Sequence, residues 1–381
     1  MNTGDITSNG SRPLKVLFVS DHLGHTNGRI HGATRYFLDV LPRLQKSPEV
    51  QLHVVFLRGY HEMAEKLEEQ GITPLFLGRH KHDPRSIADL IRLIRKHEIQ
   101  FVHCAGMKGI LTGRLAARYN RIPCLIHLHD MIPQSPPIRW LMLCTRKWTT
   151  RTIVISDAVA RFAVDHFKMA LDTIVVLRNG INLAPFRMSP SHIRQAELRQ
   201  QLGVPQNAPI LMTVGRLHTV KGQQDAIEVL RRTQDLSVWL VLVGEGPEKH
   251  ALREYAKGLP VVFAGQRTDI PDLLALATLL LMPSNSEGLG LSAMEALAAG
   301  TPVVAYATGG LVEIIEHNHC GMLVPTGEID TLAAATRQLL TDPHQRESFS
   351  RHARQHAQAF SLDQHVANLL QIYRETAGDT P

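Results

Sequence analysis

Short runs of consecutive apolar residues alternate along this chain with longer stretches in which apolar positions recur every three to four residues. The runs at 14–20 (LKVLFVS), 51–57, 73–77, 99–104, 123–128 and 152–156 predict strands. The stretches between them, at 33–44, 61–70, 84–97, 108–119 and 137–149, predict helices. The rhythm restarts at 209–214 (PILMTV), with further strands at 237–243, 261–264, 278–282 and 302–305. Helices are expected at 222–233, 248–257 and 291–299, followed by a helical tail from 329 to 376. Strands that are apolar throughout and separated by helices predict parallel sheets covered on both faces. The segment 178–190 (RNGINLAPFRMSP), rich in Gly, Asn and Pro, breaks both patterns and reads as a connection. The expected organisation is α/β throughout. A tail at 1–13 precedes a doubly wound domain at 14–180. A second such domain at 181–360 faces it across a central cleft, and a closing helix at 361–381 crosses back to the first. In open sheets of this kind ligands bind outside the carboxyl ends of the strands, so the loops that follow strands are the places to look for chemistry.

Composition narrows the class. The chain has 381 residues, of which 44% are apolar and 20% charged, which is globular and argues against disorder along most of its length. No apolar run approaches the roughly 18 residues of a membrane-spanning helix, and the polar first fifteen residues lack the core of a signal peptide. Cys104, Cys124, Cys144 and Cys320 form no CxxC pair, which argues against zinc or a disulfide framework and fits a cytoplasmic, reducing setting. Charge is divided unevenly: the net is +6, but residues 1–180 hold 25 Lys and Arg against 15 Asp and Glu. A basic first half implies an anionic partner there.

The chemistry concentrates in four strings that each follow a strand of the second half. The first, PSNSEGLGLSAMEALAAG at 283–300, places Glu287 in a turn bracketed by Gly288 and Gly290, with a helix opening at about Leu291 and Glu295 in its second turn. Glycines let a ligand approach the backbone, and the free N–H groups of a helix start favour phosphate. The second, VGRLHTVKG at 214–222, carries Arg216 and Lys221, two cations suited to neutralising a diphosphate. VGEGP at 243–247 and VFAGQRTD at 262–269 complete the set. The former lacks the third glycine of a dinucleotide fingerprint, and the latter is a candidate lining for a base pocket.

These strings, together with TPVVAYATGGLVEII at 301–315 and CGMLVP at 320–325, resemble the second domain of glycosyltransferase family 4, retaining enzymes of the GT-B fold. HLHD at 127–130, VISDAV at 154–159 and RNGIN at 178–182 extend the resemblance into the first half. The resemblance implies that Arg216 and Lys221 hold the diphosphate of a nucleotide-sugar donor. It further implies that Glu295 binds the ribose hydroxyls and Glu287 those of the donor sugar. The backbone at Gly215, Gly244 and Glu245, and from Gly288 through Leu289, Gly290 and Leu291 to Ser292, would line the donor. His129 would stand near the sugar's reactive carbon, with His127 assigned to the opposite face of its strand. Where the family has a Gly-Gly pair after the first strand this chain has His31-Gly32, so only Gly32 offers the close approach.

The implied activity is transfer of a hexose to an acceptor hydroxyl with retention, by a metal-independent enzyme without a bound cofactor. Its donor would be a uridine diphosphate sugar, with guanosine diphosphate mannose the next choice. Its acceptor would be a sugar or lipid-linked intermediate of cell-envelope synthesis. His22, His25 and His31 lie close in sequence, but no Asp-x-Asp string accompanies them. Two other readings stay open: a nucleotide-sugar epimerase using Asp130 and Glu287, and a binding subunit that has lost catalysis through His31. Two basic stretches, 84–97 with Arg85, Arg92, Arg95 and Lys96, and 137–151 with Trp140, Trp148, Arg139, Arg146, Lys147 and Arg151, are candidates for lying peripherally on an anionic membrane. No base-stacking motif supports nucleic acid as a partner.

Overall fold

The computed structural model describes residues 13–24, 32–80 and 83–378. The chain divides into two compact units, one formed by residues 1–180 with 362–381 and the other by residues 181–361. The first unit holds a parallel sheet of β1 (Leu14–Ser20), β2 (Val50–Phe56), β3 (Leu75–Phe76), β4 (Phe101–Ala105), β5 (Cys124–Leu128), β6 (Arg151–Val154) and β7 (Ile174–Val176), in the order β3-β2-β1-β4-β5-β6-β7. The second holds β8 (Ile210–Val214), β9 (Trp239–Val243), β10 (Val261–Gly265), β11 (Leu279–Met282), β12 (Val303–Tyr306) and β13 (Gly321–Val324), in the order β10-β9-β8-β11-β12-β13. Both orders run outward from the first strand, cross over once and run outward again, which is the doubly wound plan. Each sheet therefore has one switch point, between β1 and β4 and between β8 and β11, where the connections diverge and leave a crevice.

The central strands read as expected because they are buried on both faces. Every residue of β4, β5, β11 and β12 is buried, so the sequence shows apolar runs, broken only by His103 in β4 and His127 in β5. The edges depart from expectation. The strand expected at 73–77 is reduced to Leu75–Phe76, and β7 and β13, also edge strands, were not anticipated. An edge strand's extent is set by how far its neighbour offers hydrogen-bonding partners, not by its own sequence. The helix Asp157–Phe167 also escaped the periodicity, although Ser156 caps it by accepting from the N–H of Val159. The apolar run at 273–282 resolves into a helix Ile270–Leu276 and then β11.

The closing helix, Leu362–Gly378, belongs to the first unit. It buries Leu362, Leu369 and Tyr373 in that unit's core beside Phe18, Tyr36 and Phe101. Cys104 and Cys124, twenty residues apart in sequence, place their sulfur atoms 3.8 Å apart on neighbouring strands.

Candidate active site

In the second unit the loops after β8 and β11 flank the switch point and interlock. The N–H of Asn285 donates to the carbonyl of Val220 (2.8 Å). Gly222 has φ +67°, and a β-carbon there would lie 1.8 Å from the carbonyl oxygen of Pro283. Gln223, buried just beyond, donates from Nε2 to the carbonyl of Arg216 (2.9 Å) and holds the first loop's backbone. A third loop, after β12, closes against the second: the N–H of Gly310 donates to the carbonyl of Glu287 (3.0 Å).

This scaffold positions the charged groups. Glu287 is buried, and its Oε1 accepts from Lys221 Nζ (2.5 Å) and from Ser284 Oγ (3.0 Å). Its other oxygen, Oε2, accepts nothing from the described residues and remains available to a hydroxyl donor. Arg216 is exposed, and its guanidinium bonds no described residue. Among the described residues the pair of cations is thus divided, Lys221 pinned by a carboxylate and Arg216 meeting none. Gly288, Leu289 and Gly290 lead into the helix Leu291–Ala299, whose first N–H groups have no partner within the helix. Ser292 turns its hydroxyl back to the carbonyl of Val214 (2.8 Å), tying the helix start to β8. Glu295 is buried in the helix's second turn.

The remaining strings are placed less centrally. The N–H of Gly215 bonds the carbonyl of Val243, and that of Gly244 the carbonyl of Gly265, so the loops after β8, β9 and β10 run side by side. Glu245 pairs with Lys249 (2.6 Å). In the string 262–269, Arg267 pairs with Asp269 (2.6 Å), which also meets Arg194 (3.1 Å).

In the first unit His129 follows β5 and sits in a stack of aromatic rings. Its ring centroid is 4.0 Å from that of His127 and 4.7 Å from that of Tyr36. The assignment of His127 to the opposite face is corrected: residues two apart on a strand share a face, because side chains alternate with period two. His103 on β4 stacks on His127 at 5.5 Å and shares a hydrogen bond with the Tyr373 hydroxyl (2.6 Å). Tyr36 donates to His365 Nε2 (3.1 Å), while His365 Nδ1 donates to the carbonyl of Arg178 (2.8 Å). Both ring nitrogens of His127 and of His129 are buried, and among the described residues none has a hydrogen-bond partner. Burial pushes His103 and His129 down to about 3 and His365 down to about 4, with the neighbouring imidazoles adding to the effect on His103 and His129. His127 is driven well below its usual range for the same reasons. The imidazole of His129 is therefore neutral at any ordinary pH. Gly32 opens the helix Gly32–Lys46, whereas His25 and His31 lie outside the described residues.

Residues 194–356 match the model of the glycosyl transferases group 1 and residues 30–185 that of glycosyltransferase family 4. The chain belongs to the group 1 glycosyltransferases. It is 32% identical over 221 residues to a D-inositol 3-phosphate glycosyltransferase of Jonesia denitrificans, a match covering 54% of this chain and 52% of that one. The chain thus spans about half the length of that relative. It is 26% identical over 278 residues to the UDP-Gal:alpha-D-GlcNAc-diphosphoundecaprenol alpha-1,3-galactosyltransferase of Escherichia coli, covering 68% of this chain and 71% of the other. The crystal structure of Anabaena HepE in complex with UDP superposes with a TM-score of 0.84 at 23% identity, over 95% of this chain and all of that one. The fold is GT-B.

Within this family member three supporting residues escaped the sequence reading. Ser284 and Gln223 are ordinary polar residues whose burial beside the site was not visible in sequence. Gly309 lies within the string 301–315, where nothing local marks it for a role. It has φ +52°, and a β-carbon there would stand 1.8 Å from the carbonyl oxygen of Glu287. Gly309→Ala is expected to displace the Glu287 turn and destabilise the second unit by about 2–4 kcal/mol. Thermal unfolding combined with a UDP titration checks this: an alanine variant with unchanged stability and unchanged UDP affinity would contradict the packing described.

Proposed function

We propose that this chain transfers a hexosyl residue from a nucleoside diphosphate sugar to an acceptor hydroxyl with retention of configuration, without a metal ion. The observation that carries the reading is the Lys221–Glu287 pair at the switch point, set against the start of the helix Leu291–Ala299. Lys221, Arg216 and the helix N–H groups supply from the protein the positive charge that a departing diphosphate requires. Glu287, through its unengaged oxygen, takes a hydroxyl of the hexose, and Glu295 takes the ribose. His129, neutral and without a hydrogen-bond partner among the described residues, is assigned a contact to the hexose. The bond from the anomeric carbon to the phosphate oxygen breaks, and a bond to the acceptor oxygen forms on the same face. The acceptor's proton passes to the departing phosphate oxygen. No protein nucleophile is needed.

A uridine diphosphate sugar is the favoured donor, supported by the UDP bound in the Anabaena structure and by the UDP-Gal of the Escherichia coli relative. The acceptor is assigned to the basic first unit, with a lipid-linked or polysaccharide intermediate of the cell envelope as the favoured class. The diphosphoundecaprenol-linked substrate in the name of the Escherichia coli relative supports this. Nothing favours an epimerase: Asp130, its second carboxylate, is exposed and accepts from the N–H of Ile132.

A panel of nucleotide sugars incubated with the protein, without acceptor, tests the reading by thermal shift and by slow release of free sugar. One donor is expected to raise the unfolding temperature by roughly 2–4 °C at saturating concentration and to be hydrolysed. A panel in which no nucleotide sugar gives either response would refute the proposal.

A further inference from the structure

The two basic stretches singled out in the sequence fare differently. In the helix Arg85–His97 the apolar residues Leu90 and Ile94 are buried, and Arg85 and Arg92 pair with Asp83 and Asp89. It is an ordinary amphipathic helix with its apolar side buried and two of its cations paired with carboxylates, while Arg95 donates to Asn120 Oδ1 (3.2 Å). The helix Pro136–Thr145 is not. Its inner side is fixed by Met142 and Thr145, both buried and both bonded to the guanidinium of the fully buried Arg114, which also reaches Thr149 (2.7 Å). Its outer side is apolar as well. Trp140 is 63% exposed and Leu141 42%, Trp148 in the following turn is 37% exposed, and Ile132 just ahead of the helix is 58% exposed. A surface helix normally turns charge to water on that side, and large apolar side chains grouped on one patch mark a contact surface.

Charge identifies the partner. From Met131 to Ser156 the chain has four cations (Arg139, Arg146, Lys147, Arg151) and no carboxylate. Among the described residues Arg139 and Arg146 bond only backbone carbonyls, of His166 and Leu143, and neither they nor Lys147 meets an acidic side chain. Indole rings with unanswered cations beside them match the interface of an anionic bilayer, where tryptophan settles at headgroup depth and lysine and arginine meet lipid phosphates. No described helix is long and apolar enough to cross a membrane, so any contact through these residues lies at the surface.

We propose that the outer side of Pro136–Thr145, continued through Trp148, docks the first unit on an anionic lipid surface. This deepens the functional reading by placing the site where a lipid-linked acceptor lies, but the contact itself needs no sugar nucleotide.

The test is cosedimentation of the full chain with vesicles of phosphatidylcholine alone and with roughly a third phosphatidylglycerol, in the absence of donor. Binding is expected on the anionic vesicles, at least about tenfold weaker on the neutral ones, and weakened further by salt. Trp140→Ala with Leu141→Ser is expected to lower binding at least about tenfold, and Arg139→Glu with Lys147→Glu to abolish the preference for anionic lipid. Both pairs point to solvent, so unfolding temperature and donor hydrolysis should match the parent. Should one pair disturb the fold, the other decides. Absence of parent binding to anionic vesicles, or equal binding by parent and both variants, overturns the proposal. So does a parent that sediments as a dimer and a Trp140→Ala variant that sediments as a monomer, since a second copy would then be the occupant. Failure of vesicle binding with donor hydrolysis intact would refute the docking alone and leave the transferase reading standing.

Discussion

Replacing Glu287 by glutamine is expected to lower donor hydrolysis and sugar transfer by about 10²–10³-fold, the usual cost of removing one aimed polar group from a transition state, while UDP affinity changes less than about threefold. The asymmetry follows from the geometry. Oε1 is occupied by Lys221 and Ser284, leaving Oε2 to the hexose, so glutamine keeps the shape but loses the anionic acceptor. Lys221→Met should behave differently, weakening UDP binding and slowing hydrolysis together, because its charge serves the diphosphate in ground state and transition state alike. Titration calorimetry with UDP beside a hydrolysis assay separates the two. If Glu287→Gln loses UDP affinity and activity in equal measure, the carboxylate serves the nucleotide and not the sugar. The parent's bond between Lys221 and Glu287 makes the double variant informative, since its two effects should fail to add.

Acid is expected to unfold the first unit well before the second. His103, His127, His129 and His365 are all held below their ordinary range by burial, so folding favours their neutral form. The stability this entails is fully present above an unfolded value of about 6.5 and is lost as pH falls toward the folded values, because the unfolded chain takes protons that the folded unit refuses. Each such histidine costs about 2 kcal/mol by pH ~5, so four together approach the whole stability of an ordinary domain. Asp21 and Asp39, whose carboxyls burial pushes up, act in the opposite sense and offset part of the loss at lower pH. In the second unit His352 and His356 instead face Glu316 (2.5 and 3.3 Å).

A Trp239→Phe variant leaves Trp140 and Trp148, both in the first unit, as the only tryptophans. Its fluorescence should report an acid transition centred above pH ~4, with far-ultraviolet dichroism of the whole chain showing a second transition at lower pH. His127→Phe, which removes an imidazole whose nitrogens have no partner among the described residues, should make the first transition less steep by about one proton. A single transition shared by both units, or a steepness unaffected by His127→Phe, would show that the stack does not govern the acid response.

Much of this protein was legible in its residues. The central strands announced themselves because burial on both faces makes a strand apolar at nearly every position, and both sheets proved to be parallel and doubly wound. The donor strings were legible because turns and helix starts place local demands on residue type: glycine where backbone meets backbone, and a charged residue within a few positions of it. Gly222, Lys221, Glu287 and Gly290 satisfy those demands within short windows of sequence.

What sequence could not supply was everything that depends on residues distant in the chain. Lys221 and Glu287 stand 66 positions apart and are joined only because β8 and β11 pair across the switch point. His103, His127 and His365 look like three of 21 scattered histidines until two strands and the closing helix bring them into one stack. The two basic helices are alike in pattern, and only the packed structure separates the one that pairs Arg85 and Arg92 with carboxylates from the one that turns tryptophan outward. Composition and local pattern determine which elements form and which side of each is apolar. Which residues of different elements meet, and therefore which charges are paired, which imidazoles stay neutral and which apolar side remains uncovered, is decided by the packing of those elements, since that packing alone sets distance and access to water.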